Sequence, residues 1–207
     1  VYGVDIAYSV LARGRTNAPR TTFIQADVCD LSMFKDSSFD NAIACEVIEH
    51  LESPGFFLGH LHRTMKKGGR LLVTSPNYTR GRPRSVGLGV LRGFGVSSGV
   101  DGDTYIHTAY KPDELAAMAS QAGFSVLEQG TFEVELRGWL KPLAVAEQLL
   151  AGAVMRVAPA SRMNVLLQRF FDRAEIVLFQ IFDVFGLSSV LRRLFKEGRR
   201  SYIVVQR

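Results

Sequence analysis

Short apolar runs alternate with helical segments through the first 75 residues, and this alternation constrains the fold more than any other feature. The runs lie at 1–6, 22–27, 39–45 and 70–75, and the helical segments lie at 7–13 and 54–65. Apolar runs of this length, linked through helices, are typical of parallel strands that are buried on both faces of a sheet. We therefore predict an α/β fold with a doubly wound, mostly parallel sheet. Gly68 and Gly69 are predicted to end the second helix.

The later part of the chain continues this pattern and interrupts it once. Pro112 is placed for the first turn of a helix that ends at Gly123, and a strand follows at 124–132. An α-helical insertion then precedes the last strand, at 201–206. We predict one domain with an appendage, divided into a core over 1–136, the amphipathic insertion over 137–198 and a final core strand over 199–207.

A long stretch at 78–110 is rich in Gly, Ser and Arg and has little periodicity. Stretches of this length inside a domain are usually lids or binding segments, and we interpret this one as a lid. Its arginines either meet a phosphate or carboxylate of a substrate or lie solvated, and we favour the solvated alternative for Arg80, Arg82, Arg84 and Arg92.

Composition limits the classes of function. Lys and Arg number 25 against 20 Asp and Glu in 207 residues, a net charge of +5. This excess is mild, and no strip of aromatic and basic residues for stacking bases is evident, so we predict no nucleic-acid partner. Cys29 and Cys45 lack metal-ligand spacing, which disfavours a disulfide framework or zinc knuckle and favours a reduced, cytoplasmic setting. No apolar run reaches the length of about 18 residues that a spanning helix needs.

Two aspartates stand at the predicted carboxyl ends of strands, where ligands bind in open α/β sheets. A carboxylate at Asp5 can accept hydrogen bonds from both ribose hydroxyls of an adenine nucleoside, although capping a helix is an equal alternative. Asp27 can take the adenine amino group while the backbone N–H of Val28 faces the ring. By itself, each position is only a weak sign of a nucleoside site.

These positions belong to a longer pattern. The segment FIQADVCDLSMFKDSSFDNAIACEVIEHL, at 23–51, resembles the stretch of class I S-adenosylmethionine-dependent methyltransferases that runs from the adenine acid to the helix after the fourth strand. Upstream, 3–6 resembles the family's ribose motif. Downstream, 65–71 and 111–124 resemble its fifth strand and its penultimate helix and strand.

The resemblance implies a Rossmann-like methyltransferase fold and S-adenosylmethionine as the cofactor. The family's glycine-rich loop has no counterpart here, because Val1 already aligns with the second strand. We therefore expect a sheet that lacks the family's first strand, and a fragment of a longer chain that by itself binds the cofactor weakly. The cofactor-binding residues that the resemblance implies are Asp5, Ile6, Asp27, Val28, Cys45 and Glu46.

Three side chains at i, i+3 and i+4 are predicted to share one helical face beside the cleft: Glu46, Glu49 and His50. His50 and His107 are our candidates for a catalytic general base, because imidazole titrates near neutral pH. A divalent metal on this face, with His107 as a further ligand, remains open, and we assign no metal ligand. His60 and His62 belong to the next helix, at 54–65. They are predicted to face its exterior and receive no role.

The insertion has an amphipathic segment from Asn164 to Phe185, with polar and apolar residues on opposite halves of a helical projection. Ser188 is predicted to cap a second helix. A basic cluster follows, at Arg192, Arg193, Lys196, Arg199 and Arg200. Packing against the domain is the default interpretation. A homodimer and a peripheral contact with the inner face of a membrane are alternatives.

The function predicted from these features is methyl transfer to a small-molecule or lipid-linked acceptor, with O-methylation expected. A non-catalytic methyltransferase-like scaffold is the first alternative. A nicotinamide-dependent oxidoreductase is the second, and it is disfavoured because none of the six tyrosines has a lysine four residues on.

Overall fold

The computed structural model describes residues 1–79, 81–82, 85–87, 104–134, 143, 145–147, 149–154 and 163–207. It divides into two compact units, one comprising Val1–Leu88, Ser97–Gly130 and Ser201–Arg207 and the other comprising Gly89–Val96 and Thr131–Arg200. The elements in chain order are β1 (Tyr2–Asp5), α1 (Tyr8–Asn17), β2 (Thr22–Gln25), β3 (Phe39–Cys45), a 3-10 helix (Ile48–His50), α2 (Pro54–Thr64), β4 (Met65–Pro76), β5 (Ser85–Gly87), β6 (Thr104–Ile106), α3 (Pro112–Gln121), β7 (Ser125–Phe132), α4 (Met163–Val184), α5 (Leu187–Leu194) and β8 (Arg200–Gln206).

The first sheet of the first unit is the parallel pair β1 and β2, in which Asp5 pairs with Gln25 at the carboxyl end. α1 makes the crossover between the two strands, as a parallel pair requires. Its Leu11 is buried. This is the predicted strand–helix–strand order, although α1 extends to Asn17, beyond the predicted end at residue 13.

The second sheet has the strand order β3-β4-β8-β7, and β3 pairs with β4 in parallel. The prediction that Gly68 and Gly69 end a helix is wrong, because α2 ends at Thr64 and both glycines lie within β4. The register shifts between Phe39 and Asn41, so that β4 carries extra residues there. Gly68 takes a φ of +79°, and a Cβ on Gly69 would lie 2.4 Å from the carbonyl oxygen of Asp40. These glycines therefore form a bulge inside a strand.

The core of the first unit lies between the second sheet and the helices α2 and α3. Buried apolar side chains come from the 3-10 helix, from β4 and β8 and from both helices, and Leu58, Leu71, Leu115 and Ile203 have no exposed surface. α3 begins at Pro112, and Gly123 follows it with a φ of +98°, so the predicted start and stop signals are confirmed. Packing on this core fixes the carboxyl ends of β3 and β4, where the candidate site lies.

The parallel pairs confirm the predicted α/β class, but the described strands form two separate sheets and a ribbon instead of one sheet. The ribbon is the antiparallel pair β5 and β6, inside the stretch that we predicted to be a lid without secondary structure. Their three-residue lengths give too little periodicity for sequence reasoning to detect.

The described part of the second unit contains α4 and α5, joined by a turn in which Gly186 has a φ of +68°. The predicted cap at Ser188 is wrong: Gly186 is the N-cap, and the buried Ser188 hydroxyl donates to Asp183 at 2.9 Å. No single described helix has the length and apolar character of a membrane span. The segments Arg169–Val184 and Leu187–Leu194 pass that test only as a pair, bent by 96°.

Candidate active site

Asp5 stands at the end of β1, as predicted, with a fixed carboxylate. Its Oδ1 accepts the backbone N–H of Ala7, the N-cap of α1, at 2.7 Å. The Gln25 side chain donates to the carbonyl of Ile6 at 3.0 Å, which ties the two strand ends together. Ile6 is 63% exposed beside them. A carboxylate has about four acceptor positions, so the helix contact and a ribose contact are compatible.

Asp27 lies two residues beyond the end of β2, since that strand stops at Gln25 and not at the predicted residue 27. Its Oδ1 accepts the N–H of Cys29 at 2.8 Å, and the side chain is exposed. Val28 is half-buried against the core. Burial and the neighbouring Asp27 carboxylate raise the pKa of the Cys29 thiol. Asp5 and Asp27 thus follow adjacent parallel strands at one sheet edge, the arrangement that a nucleoside site needs.

Glu46 does not share a helical face with Glu49 and His50, so that prediction is wrong. Glu46 follows the exposed Cys45 at the end of β3 with a φ of +54°, a left-handed conformation outside any helix. Its backbone N–H donates to the Thr74 carbonyl at 3.3 Å and lies 3.2 Å from the Thr74 hydroxyl. That hydroxyl in turn donates to Glu46 Oε1 at 2.9 Å. The positive φ, which costs a non-glycine residue energy, directs Glu46 to the end of β4.

Glu49, His50 and His107 do come together, as predicted for His107. One ligand atom from each lies within 4.8 Å of the other two. The short 3-10 helix carries Glu49 and His50, and two hydrogen bonds attach the segment after β6 to it. The Thr108 N–H donates to the Glu49 carbonyl at 2.8 Å, and His50 Nδ1 lies 3.1 Å from the Ile106 carbonyl. A carbonyl only accepts, so Nδ1 carries the proton and Nε2 is the unprotonated nitrogen.

Burial sets the protonation states of this cluster. Glu49 is 1% exposed, and burial raises the pKa of its carboxyl to about 7. Among the described residues no hydrogen-bond partner reaches its buried Oε2. Burial lowers the pKa of His50 and of His107, with the nearby His50 as a further cause for His107. Both imidazoles are therefore neutral near pH 7 and able to accept a proton. His50 Nε2 lies 3.6 Å from Glu49 Oε1.

Arg82 is half-buried and paired within the protein. Its guanidinium stacks on the Tyr110 ring, donates to the Ala109 carbonyl at 3.0 Å and pairs with Glu114 at 3.4 Å. The favoured alternative, a solvated side chain, is therefore wrong for Arg82. The remaining arginines of that prediction lie outside the described residues: Arg80, Arg84 and Arg92.

The histidines of α2 are not on its exterior, contrary to prediction. His62 packs edge-on against Phe124, with ring centroids 5.0 Å apart, and Nδ1 of His60 is buried. Sequence reasoning also missed the partners of the site, namely the Thr74 hydroxyl and the Ile106 carbonyl. No sequence signal marks either, because each lies far along the chain from the residue that it contacts.

Comparisons with known proteins agree with this geometry. Residues 1–73 match the family model described as a methyltransferase domain. A probable S-adenosylmethionine-dependent methyltransferase of Mycobacterium tuberculosis is 32% identical over 77 residues, which are 37% of this chain and 28% of that protein. The mitochondrial ubiquinone biosynthesis O-methyltransferase of Mus musculus is 30% identical over 107 residues, or 50% of this chain and 28% of that protein.

The crystal structure of an S-adenosylmethionine-dependent methyltransferase from Mesorhizobium loti superposes with a TM-score of 0.54 at 13% identity, covering 100% of this chain and 80% of that one. The chain therefore has the Rossmann-like methyltransferase fold. The predicted likeness to the S-adenosylmethionine-dependent methyltransferase family is confirmed over residues 1–73, which match its model. The matched stretch spans less than a third of the length of these curated relatives.

Proposed function

We propose that the protein transfers a methyl group from S-adenosylmethionine to a hydroxyl of a small or lipid-linked acceptor. The observation that carries this proposal is the placement of Asp5 and Asp27 just after two adjacent parallel strands, within the residues that match the methyltransferase domain. The same match favours methyl transfer over the nicotinamide oxidoreductase. The likeness to an O-methyltransferase supports oxygen as the acceptor atom.

The residues present fit the nucleoside half of the cofactor. One oxygen of each carboxylate is already held by a backbone N–H, at 2.7 Å for Asp5 and 2.8 Å for Asp27, so neither needs to reorganise on binding. Asp5 would hold the ribose hydroxyls, and Asp27 with Val28 would hold the adenine. The cofactor supplies a methyl group that its sulfonium has already activated. The protein's task is therefore to align the acceptor and to remove its proton.

His50 is the proposed general base. Its Nδ1–H is held by the Ile106 carbonyl, which directs the lone pair of Nε2 away from the backbone. The acceptor's hydroxyl proton passes to Nε2 as the oxygen becomes nucleophilic. Glu49, 3.6 Å away, stabilises the imidazolium because its own carboxyl ionises near pH 7. His107 lies beside His50, with ring centroids 5.3 Å apart, and is placed to orient the acceptor.

The test of the cofactor site compares Asp5→Asn and Asp27→Asn with Asp30→Asn, by calorimetry with S-adenosylhomocysteine on the protein expressed from its complete reading frame. Asp30 is the matched control, because its carboxylate also accepts the backbone N–H of the residue two positions later, Ser32, at 3.1 Å. We expect each of the first two changes to weaken binding by about 1–3 kcal/mol and the control to leave it unchanged. If Asp5→Asn and Asp27→Asn bind S-adenosylhomocysteine as tightly as the wild type, these carboxylates do not belong to the cofactor site.

A second measurement separates the enzyme from the non-catalytic scaffold. The same protein is incubated with S-adenosylmethionine and a panel of hydroxylated aromatic acceptors with and without prenyl chains, and the release of S-adenosylhomocysteine is followed. Turnover that depends on the acceptor supports the proposal. Cofactor binding without turnover on any acceptor of the panel supports the scaffold instead.

A further inference from the structure

The long helix α4 exposes a continuous apolar stripe. The stripe follows one side of the helix for its full length, with spacings of three, four or seven residues, and its members are between 44% and 83% exposed: Met163, Leu166, Phe170, Val177, Ile181 and Val184. Residues at these spacings share one helical face. A face of this length is far more than the scattered exposed apolar residues that any protein surface carries.

The side of α4 next to the stripe is buried. Phe171 is 5% exposed, and Leu167, Ala174 and Leu178 on the same side are half-buried. The apolar half of the helix is therefore covered along one side and exposed along the stripe. Packing against the domain, our default interpretation from the sequence, would account for the buried side and not for the exposed stripe.

α5 continues the stripe around the turn. Leu187, Val190 and Leu194 occur at i, i+3 and i+7 and are 42%, 51% and 69% exposed, while Leu191, next to them on the helix, is buried. Phe185, in the turn itself, is 73% exposed. The two helix segments are bent by 96°, so the apolar residues belong to two helices that diverge from one corner.

Basic side chains border this apolar surface. Arg169 and Arg173 flank the stripe on α4, and both are exposed. Exposed basic residues also follow along α5 and just after it: Arg192, Arg193, Lys196 and Arg199. Residues 163–200 contain seven basic and four acidic residues, so this short segment carries more than half of the chain's net charge of +5. Arg200 belongs elsewhere, since it pairs with Glu133 at 3.1 Å.

We propose that α4 and α5 form a docking surface for an anionic lipid bilayer, with the apolar stripes inserted at the headgroup level and the basic residues on lipid phosphates. The apolar residues match the acyl chains just below the headgroups, and the Arg and Lys residues beside them match the anionic phosphates. A second copy of this chain fits less well. A two-fold interface would set the same basic patch against itself, and the bent pair offers no straight seam for a helix dimer. Ile176 and Phe179 are exposed on other sides of α4, at 58% and 38%, but the stripe collects six exposed apolar residues on one side, which suits a helix that lies in the interface.

The test is co-sedimentation of the protein, expressed from its complete reading frame, with vesicles of phosphatidylcholine alone or with added phosphatidylglycerol. The salt concentration is raised from about 0.1 M to about 1 M, over which the screening length falls from about 10 Å to about 3 Å. We expect sedimentation with the anionic vesicles at low salt, little with the neutral vesicles, and release at high salt.

Two variants identify the surface. In the first, Arg192, Arg193, Lys196 and Arg199 become Gln, which should lower the partition onto anionic vesicles by at least about tenfold. Its matched control makes the same charge change in the first unit, at the exposed Arg13, Arg15, Arg20 and Lys67, and should bind as the wild type does. In the second, Phe170, Val177 and Val184 become Gln, and circular dichroism checks that the helix content is retained. Val184→Gln alone, at an 83% exposed site, serves if the triple variant unfolds.

Four results would overturn the proposal. The wild type can remain in the supernatant with anionic vesicles at low salt. It can bind neutral vesicles equally well, or the control variant can lose binding as the basic variant does. Finally, sedimentation velocity can show that the wild type is a dimer and that the variant at Phe170, Val177 and Val184 is a monomer, while neither protein binds lipid. That result would assign the stripe to a second copy of the chain.

Discussion

Replacement of Glu49 by Gln should remove a strong pH dependence from the stability of the protein. Glu49 is the buried acid of the candidate site, at 1% exposure, and burial raises its pKa from 4.5 to about 7. Its Oε2 is buried without a hydrogen-bond partner among the described residues. Gln has nearly the same shape but is neutral at every pH, so the comparison isolates the charge.

The rise in pKa sets the size and sign of the effect. Below pH 4.5 the carboxyl is protonated in both the folded and the unfolded chain and adds no pH dependence. Between pH 4.5 and about 7 the unfolded chain releases the proton and the folded chain keeps it, so the free energy of unfolding falls as the pH rises. At about 1.4 kcal/mol per pH unit, the full loss is about 3 kcal/mol and is complete above pH 7. Glu49→Gln should not show it.

The assay is urea denaturation of both proteins from pH about 4.5 to about 8, with EDTA present so that no divalent ion holds the carboxylate ionised. The stability of Glu49→Gln relative to the wild type should rise by about 3 kcal/mol over this range, while titrations common to both proteins cancel. Glu52→Gln, an exposed acid three residues along, is the control and should follow the wild type at every pH. A difference between Glu49→Gln and the wild type that stays constant with pH would refute the reasoning.

Two further predictions concern catalysis and folding. His50→Gln should lower kcat by about 10²–10⁴-fold. In the wild type, kcat should fall with decreasing pH as His50 becomes protonated, and this fall should lie below pH 6.5 because burial lowers the pKa of His50. The variant should lack this pH dependence. EDTA should leave wild-type turnover intact, and a loss that magnesium or zinc restores would instead assign Glu49, His50 and His107 to a metal ion. Gly69→Ala should cost about 1–3 kcal/mol of stability in urea denaturation, because its Cβ would lie 2.4 Å from the Asp40 carbonyl oxygen. Gly59→Ala in α2, with no atom within 4 Å of the new Cβ, should not destabilise, and an equal cost for both would contradict the bulge argument.

The elements that sequence predicted best are those fixed by their own residues. β3 has the predicted bounds, Phe39–Cys45, because its apolar run is bounded by a polar turn and by the start of the next element. α3 begins at Pro112 and Gly123 ends it, as the local signals require. In each case the information lies within a few positions of the chain.

The errors arose where a distant partner decides the conformation. Two glycines in series normally end a helix, but the pairing of β3 with β4 draws Gly68 and Gly69 into a strand. Glu46 lies in a helical spacing with Glu49, yet the hydrogen bonds to Thr74 hold it in a left-handed conformation, 28 positions from its partner. The approach of His107 to His50 was left open, because spacing alone does not relate residues so far apart.

The anchors on either side of the ribbon β5 and β6 have a consequence for how the protein can diversify. Before the ribbon, the Pro76 carbonyl accepts the N–H of Tyr110, and Arg82 holds the Ala109 carbonyl; after it, Thr108 is bound to Glu49. His107 is thus located by hydrogen bonds on both of its sides, His50 to Ile106 and Thr108 to Glu49, and not by the length of chain that leads to it. Insertions or deletions between β5 and β6 would therefore leave the proposed base and its neighbour in place. Evolution could change the length of this segment while the proposed catalytic residues stay in register.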